Sequence, residues 1–226
     1  MAAVTWPCPL GADGTSSEYA LAFDQSRPRR LLIIPALFDE ANRLRRLTVE
    51  VMRRLDHAGI DCFLPDLPGS NESLAALEEQ TLAGWQHAMV AAAREFRAGH
   101  VLAIRGGALV VPQALPGWRY APVNGATILR QMLRMRILAA REAGREETQA
   151  GLLEQGLTEG LELAGYPLSP AMIAELNSAT PPDGTSQSVI GQDMLGGPGL
   201  WLRAEPDEDA AQADALAAVV TMGLFT

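Results

Sequence analysis

The chain contains no lysine, so all 18 of its basic residues are arginines. A Walker-type phosphate-binding loop needs a lysine, and so does every mechanism that forms a Schiff base through a side-chain amine. This absence excludes P-loop nucleotide hydrolysis and pyridoxal-phosphate chemistry. No other cofactor is indicated by the sequence, and we predict none.

Cysteine and aromatic residues are also scarce. The only two cysteines, Cys8 and Cys62, lie far apart and match neither a disulfide framework nor the ligand spacing of a metal site. They favour a reducing compartment. Aromatic residues make up 5% of the chain and hydrophobic residues 48%, which is typical of a globular core built from Leu, Val, Ile and Ala.

Long apolar runs and an excess of positive charge are missing as well. No stretch approaches the roughly 18 uninterrupted apolar residues of a membrane span, and the first residues lack the basic and apolar regions of a signal peptide. We therefore expect no membrane span and a cytoplasmic location. The formal net charge of -9 and the pI of about 4.8 oppose binding to nucleic acid, because a polyphosphate demands clustered positive charge.

The first half of the sequence alternates apolar strands with amphipathic helices. Leu31 to Ile34 is a continuous apolar run, typical of a strand that is covered on both faces in a parallel sheet. Right-handed crossovers fold such a βαβαβ pattern into a doubly wound, mostly parallel α/β sheet. The predicted elements are an edge strand at 18–23, strands at 31–34, 60–64 and 100–104, and helices at 42–58 and 74–96.

The second half is less regular, and we predict that it completes one domain spanning residues 1–226. A helical lid or insertion is expected within residues 125–160. Its helix at 128–141 exposes arginines beside methionines and is a candidate surface for a protein partner or a homodimer. The other predicted elements are strands at 118–123, 161–166, 187–190 and 200–203, and helices at 170–177 and 209–220.

Polar side chains follow the predicted strands. In an open parallel sheet, ligands bind in the crevice outside the carboxyl ends of the strands, so these loops are where a binding site is expected. The candidate ligand-binding residues are Asp39, Glu40, Asn42, Asp66, Ser70, Arg105, Gly106 and Asn124.

The loop after the third predicted parallel strand meets the steric demand of a nucleophile elbow. Such a turn needs small residues two positions before and two positions after the nucleophile, and Ala103 and Gly107 meet that need. The nucleophile position itself is Arg105. A guanidinium is permanently protonated and does not attack a carbonyl.

The position of the histidines fails a second, independent test. The hydrolase chain order places the catalytic His after the nucleophile, whereas His57, His87 and His100 all precede Arg105. The sequence therefore predicts no Ser-His-Asp catalytic residues.

Five segments carry a resemblance to a known family. They are PALFDEAN (35–42), FLPDLPGS (63–70), RGGA (105–108), PVNG (122–125) through LRMR (133–136), and AGYPLSP (164–170). Together they resemble the hydrolase-like proteins associated with bacterial exosortase A loci, over roughly residues 30 to 206. The resemblance implies an α/β-hydrolase fold and a setting of exopolysaccharide production and exosortase-dependent protein sorting.

Two alternatives stay open for the charged candidates. Arg105 either binds the carboxylate or phosphate of a ligand at the elbow or forms an ion pair with Asp39, Glu40 or Asp66. The acidic residues and Asn42 either form a pocket for a ligand or a hard cation, or stabilise the first turn of a helix. We predict no metal site.

The leading functional hypothesis is a non-catalytic relative of α/β-hydrolases that binds an anionic small molecule or a protein partner. The alternative is an esterase, thioesterase or acyltransferase with a rearranged catalytic set, such as Ser70 with a carboxylate. The other interpretation of Ser70 is hydrogen bonding within a turn. A third hypothesis is a structural subunit whose crevice is filled by side chains.

Overall fold

The computed structural model describes residues 1–10, 14–183 and 186–225. Seven of its strands form one sheet, and two more form a small hairpin. In chain order the strands are β1 (Ala2–Leu10), β2 (Gly14–Phe23), β3 (Arg30–Ile34), β4 (Asp61–Pro65), β5 (His100–Ile104), β6 (Gly117–Tyr120), β7 (Leu161–Leu163), β8 (Tyr166–Leu168) and β9 (Gln187–Ile190).

The helices connect these strands across both faces of the sheet. They are α1 (Asp39–His57), α2 (Leu82–Glu95), α3 (Gly125–Glu142), α4 (Gln149–Glu159), α5 (Pro170–Ser178), α6 (Gln192–Leu195) and α7 (Ala210–Phe225). Short 3-10 helices cover Leu77–Glu79, Arg105–Val110 and Leu200–Leu202.

The strand order is β1-β2-β4-β3-β5-β6-β9. The pairs from β4 to β9 are all parallel, whereas β1 pairs with β2, and β2 with β4, in antiparallel orientation. The sheet is therefore mostly parallel, as predicted. The carboxyl ends of β3, β5 and β6 lie side by side, because Ile34 pairs with Ala103 and Ile104 with Tyr120.

Two apolar cores cover the two faces of the sheet. Side chains of α2, α3 and α5 pack on one face, and those of α1 and α7 on the other. Leu32 and Ile34 face the first core while Leu31 and Ile33 face the second, so β3 is apolar at every position from 31 to 34. This double burial explains why the run reads as continuously apolar in the sequence.

The amino-terminal hairpin is longer than predicted. The sequence indicated one strand at 18–23, whereas β1 pairs with β2 from Ala2 to Leu10. Pro7 and Pro9 obscured β1, since proline is excluded from central strands but tolerated on an edge. Because β1 lies at the edge of the described sheet, no further strand requires an N–H donor from Pro7 or Pro9.

Several other predicted boundaries were wrong, among them that of the strand expected at 118–123, which ends at Tyr120. The helix expected at 74–96 begins only at Leu82, because Thr81 is extended and its hydroxyl accepts from the Gly84 N–H at 2.9 Å as an N-cap. The strand expected at 161–166 is the hairpin of β7 and β8, turned by Ala164 and Gly165 at positive φ. The segment 200–203, expected as a strand, contains a 3-10 helix.

The region predicted as a helical insertion contains α3 and α4. The second of these helices lies in a polar stretch for which the sequence indicated no element. Its N-cap is Thr148, whose hydroxyl accepts from the Gly151 N–H at 3.2 Å. A role as a lid stays a prediction.

Candidate functional site

The chain makes a strained, crowded turn directly after β5. Arg105 has φ 51°, a left-handed conformation that costs an L-residue about 1–2 kcal/mol. A Cβ on Gly107 would lie 2.4 Å from the carbonyl oxygen of Pro35. Only glycine fits there, so the turn has the tight packing of a nucleophile elbow with an arginine at its tip.

Each nitrogen of the Arg105 guanidinium donates one hydrogen bond. Its Nε and Nη2 donate to the two carboxylate oxygens of Glu40 at 3.1 and 2.9 Å, and its Nη1 donates to the carbonyl oxygen of Ala121 at 2.9 Å. Arg105 is 8% exposed and Glu40 is 7% exposed. The sequence left open whether Arg105 contacts a ligand or forms an ion pair. In the structure its described contacts are those of an ion pair, and the partner is Glu40.

An aromatic ring covers the same guanidinium. The Trp201 ring centroid lies 4.0 Å from the Arg105 Cζ, a cation–π distance. The carbonyl oxygen of Trp201 accepts from Arg43 Nη1 at 2.9 Å, which ties the 3-10 helix to α1. Sequence reasoning missed Trp201, because a distant tryptophan gives no local signal that it stacks on an arginine.

Phe38 is a second strained residue at this edge. It precedes α1 with φ 55° and ψ −133°, and its side chain makes no cap hydrogen bond. For a bulky residue this conformation is an outlier. The ring packs against Trp85 at a centroid distance of 5.6 Å and against Tyr166 at 5.4 Å. These contacts hold Phe38 between two cavities.

The first cavity, which we call the apolar crevice, has a volume of about 250 Å³. Gly106 lies close beneath it, since a Cβ there would meet Ile128 Cδ1 at 2.7 Å and Leu37 Cγ at 3.0 Å. The crevice therefore sits against the elbow. Its lining consists of Leu37, Phe38, Asp39, Glu40, Arg43, Ile128, Gln131, Met132, Arg134 and Met135.

The charges around the apolar crevice are mostly paired. Asp39 forms an ion pair with Arg43 within α1, and Glu40 is held by Arg105. Arg134 is exposed, and its side chain makes no ion pair or hydrogen bond with any residue that the structure describes. It is the charged group of the crevice that remains available to a ligand.

The second cavity, which we call the polar pocket, has a volume of about 180 Å³ on the other side of Phe38. Asn42 Nδ2 donates to the Tyr166 hydroxyl at 3.4 Å. Burial raises the pKa of Tyr166, and the charge of Asp39 raises it further. Ser70 also lines this pocket, and its hydroxyl makes no hydrogen bond within the described part of the chain.

Two of the predicted residues lie apart from both cavities. Asp66 is buried, accepts from Asn71 Nδ2 at 2.7 Å and lies 3.7 Å from Arg45 Nη1. Desolvation raises its pKa despite these partners. Asn124 is exposed and precedes α3 without a side-chain cap hydrogen bond. Of the eight candidates, Asp39 and Glu40 line the crevice, and Asn42 and Ser70 line the polar pocket. Arg105 and Gly106 lie behind the crevice, the first paired with Glu40 and the second packed against Leu37 and Ile128.

The histidines lie away from the elbow. His100 opens β5 at the opposite end of the strand from Arg105, where it stacks on Trp118 at 6.1 Å and burial lowers its pKa. His57 ends α1, which leads into the amino end of β4, and His87 is exposed on α2. The carboxyl edge therefore contains no imidazole among the described residues.

Within residues 1–10, 14–183 and 186–225, no three His, Cys, Asp or Glu side chains are placed to hold a metal ion. Asp39 and Glu40, which the sequence placed in a candidate acidic pocket, are each paired with an arginine. The same ranges contain no helix with the length and hydropathy to cross a membrane.

The mostly parallel sheet, the elbow after β5 and the crevice beside it define the α/β-hydrolase fold. Est1E from Butyrivibrio proteoclasticus superimposes with a TM-score of 0.56 and 12% identity over 98% of this chain and 97% of its own, and has also been solved with ferulic acid bound. Alpha/beta hydrolase domain-containing protein 10 from mouse superimposes with a TM-score of 0.52 and 12% identity, over 83% of this chain and 77% of its own.

A third solved structure, DcsB in complex with its substrate analogue, gives a TM-score of 0.54 with 10% identity over 100% of both chains. At these identities the likeness shows the fold, and the predicted fold is confirmed. No family model matches the sequence. No curated protein matches it either.

Proposed function

We propose that this chain is a binding protein with an α/β-hydrolase fold that does not use Ser-His-Asp catalysis. The observation that carries the proposal is the bidentate pair of Arg105 and Glu40 at the tip of the elbow. The elbow normally presents the attacking oxygen. Here it presents a neutralised ion pair beneath a tryptophan ring, and this arrangement contains no nucleophile.

The crevice supports a ligand with an apolar body and one negative charge. Leu37, Phe38, Ile128 and Met132 provide apolar walls, while Arg134 provides a donor for a carboxylate or phosphate. Ferulic acid, which is bound to Est1E, is an aromatic carboxylate of this chemical class. We therefore take ferulate as the probe for this chain.

We also propose that α3 provides a surface that binds a protein partner. The accessory role that we propose belongs to exopolysaccharide production and exosortase-dependent sorting, and its location is the cytoplasm. The surface is supported by Met135 and Leu138, which are 43% and 58% exposed and are flanked by the exposed Arg134 and Arg141. The setting is supported by the resemblance alone, whose segments PALFDEAN and RGGA contribute Glu40 and Arg105 to one ion pair.

The binding proposal is tested by titrating the protein with ferulate in a calorimeter. Arg134→Gln removes the available guanidinium and should weaken binding about tenfold, since a hydrogen bond to a charged group contributes about 1.5–3 kcal/mol. Arg130→Gln, one turn away on α3 and outside the crevice lining, is the matched control and should bind as the wild type does. Equal affinity of all three proteins would refute the role of Arg134.

A second candidate is an ester-cleaving or acyl-transferring enzyme that uses Ser70. The observation in its favour is the Ser70 hydroxyl, which lines the polar pocket at the carboxyl edge without a described hydrogen-bond partner. Hydrolysis of p-nitrophenyl butyrate by the wild type that disappears in Ser70→Ala would establish it. We expect no hydrolysis above the buffer rate by either protein, because the edge provides no described imidazole to activate the hydroxyl.

A further inference from the structure

A separate cavity of about 420 Å³ lies on the outer side of α2, away from the crevice. It lies between the end of this helix and the loop that follows the 3-10 helix Arg105–Val110, and it is open to solvent on one side. Its walls are mostly apolar, with two arginines and one glutamine among the lining residues. These are Val90, Ala93, Ala98, Pro112, Leu115 and Ala114, together with Arg94, Arg97 and Gln113.

The loop that forms the far wall of this cavity is held in place. The buried Gln187 donates through Nε2 to the carbonyl oxygens of Pro112 and Leu115 at 3.1 and 2.9 Å, and Gln86 Nε2 donates to the Val111 carbonyl oxygen at 3.4 Å. The cavity is therefore preformed. Binding into it requires little further ordering of the loop, which favours affinity.

The cavity has a positive edge in a chain of net charge -9. Arg94 and Arg97 are exposed, and neither forms an ion pair with a residue that the structure describes. Arg94 lies in the last turn of α2, where the helix end contributes roughly half a negative charge. Glu95, the exposed carboxylate between the two arginines in the sequence, is not part of the cavity lining. The two guanidinium charges at the edge therefore exceed the half charge of the helix end, and the edge attracts anions.

Arg97 is placed at this edge by a strained backbone. Its φ is 49°, and glycine is the residue that ordinarily follows a helix in this conformation. An arginine there costs about 1–2 kcal/mol. Strain of this size is a reason to look for function in the side chain, and that side chain lines the cavity.

We propose that this cavity binds an unbranched acyl chain of medium length that ends in a carboxylate. The chain lies between α2 and the loop, against Ala93, Ala98 and Pro112, and the carboxylate accepts from Arg94 and Arg97. A second depression of about 810 Å³ shares Val90 and Arg94 with this cavity and gives room for a longer chain. This site is independent of the crevice and does not rest on the function proposed for it.

The test is calorimetric titration of the full chain with octanoate, octanol and butyrate. Octanoate should bind at least about tenfold more tightly than the other two, because octanol lacks the charge and butyrate lacks the apolar length. The double variant R94Q/R97Q should weaken octanoate binding about tenfold or more and leave octanol unchanged. The double variant R130Q/R145Q, which removes two positive charges from exposed positions outside the cavity lining, is the matched control and should bind octanoate as the wild type does.

A filling variant separates this cavity from other apolar surfaces. Ala114 is exposed on the loop and lines the cavity, so Ala114→Trp should abolish octanoate binding while the circular dichroism spectrum stays that of the wild type. Octanoate binding that survives both R94Q/R97Q and A114W would overturn the proposal. Loss of octanoate binding in Arg134→Gln would instead place the acyl chain in the crevice.

Discussion

The buried Arg105 at the elbow requires a carboxylate partner from a distant part of the chain. A permanently charged side chain is buried only with a partner that satisfies it. Glu40 provides that partner from the first turn of α1, 65 positions earlier in the chain. Arg105 thus contributes to the packing between α1 and the elbow through its ion pair with Glu40.

We predict that Glu40→Ala destabilises the protein by about 3–5 kcal/mol, because it leaves the Arg105 charge buried without a carboxylate. Glu50→Ala, which removes the partner of Arg53 and Arg54 on the outer side of α1, should cost about 0–1 kcal/mol. Urea denaturation measures both free energies of unfolding. A Glu40→Ala cost no larger than that of Glu50→Ala would contradict the structural role of the pair.

Asp66 provides a pH-dependent prediction. Its folded-state pKa is raised by desolvation above the ordinary value of about 3.9, so the folded protein loses stability as the pH rises through this range and the carboxylate ionises. Asp66→Asn keeps an oxygen for Asn71 and removes the charge. The variant should therefore be more stable than the wild type at pH 7, with a smaller difference at pH 4.

Asp24 is the matched control with the opposite sign. A hydrogen bond from Arg30 lowers the pKa of Asp24 to about 2, so its ionised form contributes stability above the ordinary pKa of Asp, and that contribution is lost as the pH falls. Asp24→Asn should therefore reduce stability at pH 7 and do so less at pH 4. Urea denaturation at the two pH values gives all four differences. The Asp66 prediction is refuted if Asp66→Asn destabilises the protein more at pH 7 than at pH 4.

At the scale of the elements, the sequence predicted what local patterns encode. The strands β3, β4 and β5 were found because burial on both faces makes them mostly apolar, and α1 was found because its apolar residues recur at helical spacing. The prolines of β1 and the polar sequence of α4 hid those elements, since an edge strand and a surface helix need little apolar periodicity. Thr81 is the N-cap of α2, but a threonine by itself does not identify a helix start, because most threonines in a sequence are not N-caps.

The candidate site was predictable only in part for the same reason. The carboxyl-end rule brought Asp39, Glu40 and Arg105 to one edge, as the structure shows. Tyr166 contacts Phe38 and Asn42, which lie more than a hundred positions earlier in the chain. Trp201 contacts Arg105, which belongs to a different, distant segment. Such contacts follow from the finished fold and leave no local pattern.

The elbow packs β5 against β3, and we predict that this contact tolerates no added methyl group. Gly107→Ala would place a Cβ 2.4 Å from the Pro35 carbonyl oxygen and 2.9 Å from that of Ile34. The backbone of residues 34 and 35 would have to move away from the new methyl group, so the variant should lose about 1–3 kcal/mol of stability. Gly99→Ala, which meets nothing within 4 Å, is the control. Equal thermal unfolding midpoints for the two variants would contradict this packing.

The whole molecule has an α/β-hydrolase fold, and its three histidines lie away from the carboxyl edge of the sheet. The described sheet ends at β9 and the chain then closes through α6, a 3-10 helix and α7. The hydrolase order would place the base in this carboxyl-terminal part, where the sequence contains no histidine. The 3-10 helix provides Trp201 instead, and this ring covers Arg105.

We therefore predict that a serine at the elbow does not restore catalysis. The double variant R105S/E40Q puts a hydroxyl at the tip of the turn and removes the carboxylate that would otherwise be buried without its partner. Its rate with p-nitrophenyl butyrate should stay at that of the wild type, because all three imidazoles lie away from that edge and a serine needs an adjacent base. Circular dichroism and the urea midpoint verify that the variant is folded. A burst of p-nitrophenol from the folded double variant would show that the molecule still contains a working base, and the account of a non-catalytic scaffold would then fail.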